Sequence, residues 1–141
     1  MGRAELENLV QIGKLATEWP DASEIDGLVE SGRARLVDAR NEQLSPYSRF
    51  DLAYNASHAL ALAALRWHGF RSDNRYLVFQ CLKHTVELEN AEWRVLDSAH
   101  RRRNQSEYEG LVDVDDALLS SVLRVAAIVL ERLGKLGPPP K

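Results

Sequence analysis

His100, Arg101, Arg102, Arg103 and Asn104 stand in a row, followed by Glu107 and Tyr108. Histidine can give or take a proton near neutrality. The planar fork of arginine binds phosphate or carboxylate oxygens in pairs. On a helix each residue turns by about 100°, so Trp93, Leu96, His100, Arg103, Asn104 and Glu107 share one broad face, with Tyr108 at its edge. That face begins apolar and ends polar. Arg101 and Arg102 point elsewhere and are expected in solvent, where positive side chains near a helix C-terminus suit the macrodipole. Arg103 and Asn104 continue the stripe set by Trp93 and Leu96. An arginine there should meet a carboxylate, a phosphate or a second protein chain, because burying it alone is costly.

A second polar group, Tyr54, Asn55 and His58, interrupts the apolar run "DLAYNASHALALAALRW". It is either a satisfied polar cluster in a core or interface, or part of the cleft that holds Arg103. His84 reads as a half-buried helix histidine, His68 as a helix-end residue and Cys81 as a small apolar filler. The four histidines are spread over several elements, with no pair at i, i+4 and no carboxylate-rich loop, so neither a metal site nor a cofactor is expected. Neither a glycine-rich phosphate loop nor a serine-centred nucleophile motif is present.

The elements that position these residues are helical, since apolar spacing follows the helical period and no stretch sustains alternation. Leu6, Leu9, Val10 and Leu15 mark a first helix ending near Trp19-Pro20. Ser23 is placed to cap a second, in which Gly32 lies near the apolar face and suggests close packing. Ser45-Pro46 is a strong start signal, and the helix it opens, apolar or small on most sides, should be central. Ser72 or Asp73 opens a further helix through "NRYLVFQCLKHTVEL", another runs from about Ala91 to Glu107, and the last starts at Asp113. The expected fold is all-α, one domain over 1–141. It comprises N-terminal helices over 3–41, a four-helix bundle over 46–134 and a flexible tail over 135–141.

Composition limits the function. With 45% hydrophobic and 28% charged residues and a net charge of −3, the chain is an ordinary globular one and lacks the broad basic balance of a protein that wraps duplex DNA. No apolar run approaches a membrane span, and the start lacks a signal-peptide core. A lone cysteine forms no internal disulfide. A cytoplasmic location is the expectation from these features.

The segments "SRFDLAYNASHALALAALRWHGFR", "RYLVFQCLKHTVEL" and "AHRRRNQSEYEG", with the final apolar helix, resemble a HEPN domain in their order, from about Pro46 to Leu133. The resemblance implies a small helical bundle that commonly forms a homodimer, often an RNA-cleaving toxin or a phage-defence component beside a nucleotidyltransferase-type antitoxin. Other members are non-catalytic partners. Catalytic members carry an arginine, usually followed by a polar residue, with a histidine after four to six intervening positions, and two protomers join their copies into one RNase site. Arg103 and Asn104 match that pattern, but Tyr108 stands where the histidine should be. Arg94 with His100 fits a second register, in which Val95 is the departure.

Metal-free RNA cleavage needs a base for the 2′-hydroxyl and a cation for the phosphorane. Arg103 suits the second task. Tyr108, with an ordinary pKa of about 10, is a poor base, and His100, one turn before Arg103, is the substitute. The resemblance thus implies a non-catalytic or weakly active domain that binds RNA, a nucleotide or a partner protein. Its candidate site residues are His100, Arg103, Asn104 and Tyr108, with Glu107, Tyr54 and His58 for binding. The alternatives are a metal-independent endoribonuclease and a helical scaffold whose polar stripe only pairs internally.

Overall fold

Ser45 accepts a hydrogen bond from the Ser48 N–H and Pro46 takes the first helical position, opening helix α3 (Pro46–Trp67) as the sequence predicts. The computed structural model describes residues 2–110 and 114–140, without the Tyr108 side chain. In chain order the other elements are α1 (Arg3–Gln11), β1 (Ala16–Thr17), α2 (Ala22–Ala39), β2 (Phe70–Arg71), α4 (Arg75–Gln80), α5 (Leu82–Thr85), α6 (Asn90–Glu109) and α7 (Asp116–Leu136). The protein is therefore mostly helical. Among the described residues, no helix is long and apolar enough to cross a membrane.

α3 is the hub. Ala53, Ala56, Ala61, Ala63 and Ala64 on it are at most 1% exposed, and such small side chains let α2 and α7 approach on different sides. Where α2 crosses α3, a Cβ on Gly32 would fall 2.6 Å from Leu60 Cγ and 3.3 Å from the Ala56 carbonyl oxygen. Gly27, on the same helix, faces open space. Opposite outcomes are expected for one substitution at these two positions. Gly27→Ala should stabilise by up to about 1 kcal/mol through helix propensity. Gly32→Ala should lose about 1 kcal/mol or more, because overpacking a filled core outweighs that gain. Urea midpoints of the two variants measure both signs.

The core does not divide between N-terminal helices and bundle. Leu6, Leu15 and Ile25 join Leu60, Leu82, Leu96, Val122 and Val129 in one cluster. α2 lies along α3, and α6 and α7 pack on one another and on α3. Beyond Leu133, α7 continues to Leu136, and the Gly137 carbonyl accepts from Trp67 Nε1 at 3.2 Å. The chain is thus held past the point where the tail was expected to begin.

Several boundaries differ from the sequence expectation, each for a local reason. Asp21, not Ser23, caps α2, accepting from the Ser23 and Glu24 N–H groups. Asn74, not Ser72 or Asp73, caps α4, accepting from the Leu77 N–H. The first helix stops at Gln11, and the following chain forms a two-residue antiparallel pair, Ala16 opposite Arg71 and Thr17 opposite Phe70, too short to leave an alternating pattern.

The long helix expected through Leu88 breaks at Cys81 and ends at Thr85. Glu87 then takes a φ of 55°, and Arg132 from α7 donates to the Val86 and Glu87 carbonyls. Those bonds satisfy acceptors that a longer helix would have used, and Leu88 turns back into the core at 3% exposure. α6 begins with a reciprocal Glu89–Glu92 capping box. The Asp113 start expected for the last helix lies outside the described residues, and Asp115 caps α7 through the Ala117 N–H.

Candidate functional site

Tyr54, from the middle of α3, is fully buried, and its hydroxyl lies 3.0 Å from His100 Nδ1 on α6. The other ring nitrogen, Nε2, lies 3.2 Å from the Asn104 side-chain amide, one turn further on. A neutral imidazole has one donor and one acceptor nitrogen, and a hydroxyl and an amide can serve either. The chain Tyr54–His100–Asn104 is thus complete with His100 uncharged. Burial pushes the His100 imidazole below its ordinary value; Arg103 and Arg75 push the same way, against Asp97.

Two arginines flank this chain. Arg103 places its guanidinium carbon 5.3 Å from the centre of the Tyr54 ring, and Arg75, at the start of α4, places its own 5.6 Å away. Arg75 donates to the neutral Asn55 amide oxygen at 3.2 Å. Arg103 is 27% exposed and pairs with Glu107 at 3.0 Å across one turn of α6, with Glu107 54% exposed. Such a pair is worth only about 0.5 kcal/mol, so a phosphate can replace the carboxylate at small cost.

His58, one turn after Tyr54, packs edge-to-face on Phe79. Its pKa is pushed down to about 4, first by burial and then by Arg75, Arg103 and His100.

Of the residues anticipated from sequence, Tyr54, His58, His100, Arg103, Asn104 and Glu107 therefore come together at the α3–α6 contact. Of the α3 polar group, Tyr54 is buried beneath Arg103, while Asn55 and His58 are half-buried and Asn55 accepts from Arg75. The Tyr108 side chain lies outside the described residues. Arg101 is solvated as expected, 71% exposed and paired with Asp97. Arg102 is half-buried and engaged, not solvated, because it follows Val95 and Ala99 at helical spacing on a second line turned toward the protein. The fully buried arginine is Arg66, which sequence reasoning did not single out.

Arg75, Tyr76 and Phe79 of α4 were also missed. Phe79 meets the rings of Tyr54, His58 and His100, and Tyr76 meets His100 and Trp93. One signal was available. Arg75 sits at the first position of its helix, the positive end of the helix dipole, where a cation is disfavoured unless something else requires it.

The sequence matches no family model and no curated protein. What the cluster can do rests on its own groups: two cations for an anion, and a neutral histidine that can accept a proton.

Proposed function

We propose that this is a HEPN-like domain, non-catalytic or weakly active, that dimerises and binds the phosphate backbone of RNA or a nucleotide at Arg75 and Arg103. A toxin–antitoxin or phage-defence setting, with a nucleotidyltransferase-type partner, follows the resemblance. The observation that carries the reading is the pair of arginines converging on one tyrosine ring, one bonded to a neutral amide and the other paired with an exposed carboxylate. A half-open cluster of this kind also suits a site completed across a twofold axis.

One observation favours a second reading, metal-independent RNA cleavage. His100 is held uncharged between Tyr54 and Asn104, beside the arginines that would stabilise a phosphorane. The scaffold alternative draws on the Arg103–Glu107 pair and the Tyr54–His100–Asn104 chain, neither of which calls for two arginines at one ring.

RNA binding and cleavage without metal, measured on the wild type, Arg103→Ala and His100→Ala, separate these readings. Arg103→Ala is expected to weaken RNA binding about tenfold, as for loss of one charge-assisted contact, and His100→Ala to leave most of it. Cleavage that both variants lose would establish the enzyme. Wild-type affinity in Arg103→Ala would leave only the scaffold.

A further inference from the structure

The geometry points to Tyr76 as a stacking platform for an unpaired base, so that the site takes a single nucleic-acid strand in preference to a duplex. This rests on the phosphate-binding reading above and adds what the arginines cannot supply, a way to engage the base. Tyr76 follows Arg75 directly and is 40% exposed, although it is braced on three sides. Its ring lies 6.1 Å from His100, meets Trp93 edge-to-face at 6.0 Å, and its hydroxyl accepts from Gln80 Nε2 at 3.4 Å. A ring fixed in this way loses little conformational freedom on binding, unlike a free surface tyrosine.

Charge continues along the same path. The Lys83 ammonium sits 5.4 Å from the centre of the Trp93 indole that Tyr76 meets, so a chain of contacts links Arg75 and Arg103 at Tyr54, through His100, Tyr76 and Trp93, to Lys83. Positive groups that track a backbone beside exposed rings that take bases are the requirements of single-strand binding. In a duplex the base faces are already stacked and unavailable. A protein partner would call for a wider apolar patch than one braced tyrosine.

The test measures affinities for a labelled oligoadenylate, its duplex with oligouridylate, and inorganic polyphosphate, which carries charge without bases. Wild type, Tyr76→Ala, Tyr76→Phe and Arg103→Ala are compared, with circular dichroism verifying the fold. The expected result is that Tyr76→Ala lowers the ratio of oligoadenylate to polyphosphate affinity about tenfold, Tyr76→Phe preserves the ratio, and the duplex binds more weakly than the single strand. An unchanged ratio in Tyr76→Ala, with affinity still lost in Arg103→Ala, overturns the platform and leaves the phosphate site. Equal affinity for duplex and single strand overturns the platform as well. A wild type that binds neither oligonucleotide nor polyphosphate overturns both and returns the surface to a protein partner.

Discussion

Arg66→Ala is expected to cost about 3–5 kcal/mol of folding stability, the range for truncating a large side chain in a filled core. Arg66 is fully buried near the end of α3. Its Nε donates to Glu24 Oε1 at 2.7 Å, Nη1 to the Glu18 and Phe70 carbonyls, and Nη2 to the Trp19 carbonyl at 2.8 Å. One side chain thus satisfies acceptors from α2, from the segment after β1 and from β2. Alanine would leave those carbonyls without their donor and the Glu24 carboxylate with Arg71 alone, in a cavity the size of the lost side chain. Arg71 would still hold Glu18 and Glu24, which keeps the loss at the lower end of the range. Urea unfolding of Arg66→Ala measures the total. A loss below about 1 kcal/mol would contradict the clamp.

Acid is expected to unfold the protein in two stages, beginning well above the carboxylate range. All four histidines have folded-state pKa values below the ordinary 6.5. A histidine that resists protonation in the fold leaves the unfolded chain binding more protons, so its contribution is complete above 6.5 and is lost as pH falls toward the folded value. For His58 that window runs from 6.5 to about 4. Because its ring is only partly buried, its share is discounted to about 2 kcal/mol at most, and the other three add in the same direction.

Glu24 acts at lower pH. Burial alone would raise its pKa, but hydrogen bonds and charge from Arg66 and Arg71 hold it below 4.5. Its contribution is therefore present above 4.5 and lost as pH falls through the lowered value. Thermal midpoints measured across this range should decline in both stages. His58→Gln should flatten the upper stage and leave the lower one. A midpoint independent of pH down to 4.5 would contradict the histidine assignment.

The helices and the polar cluster were legible because each left a periodic or positional mark. Ser45-Pro46 fixed the start of α3, the alanines showed that it would be surrounded, and Gly32 announced a close crossing. His100, Arg103, Asn104 and Glu107 share a face by simple rotation about an axis. Where several cap-forming residues crowd together, as in "SDN" before α4, composition cannot choose among them; the choice of Asn74 depends on where the chain enters the bundle. The Arg66 clamp was illegible for a stronger reason. Its acceptors are mostly backbone carbonyls, which every residue type carries, and all but the Phe70 carbonyl come from segments distant in sequence. Arg75 was hidden because its role depends on α4 packing on α3, a tertiary fact that its own helix encodes only as a cation in an unfavourable place.

Thr17 and Phe70 pair across most of the first half of the chain, and joining them directly would bear the entropy of closing that whole loop. The α2–α3 hairpin lowers this barrier. Its helices are consecutive in sequence, and the Arg66–Glu24 contact shows that the start of one lies beside the end of the other. Once the hairpin forms, Thr17 and Phe70 are neighbours, and the strand pair and its arginine clamp are expected to close late. Perturbing the Gly32 crossing should therefore slow folding, whereas losing Arg66 should mainly hasten unfolding. On that expectation the two-residue strand pair is a latch on a hairpin already made, setting how long the protein stays folded more than how quickly it gets there.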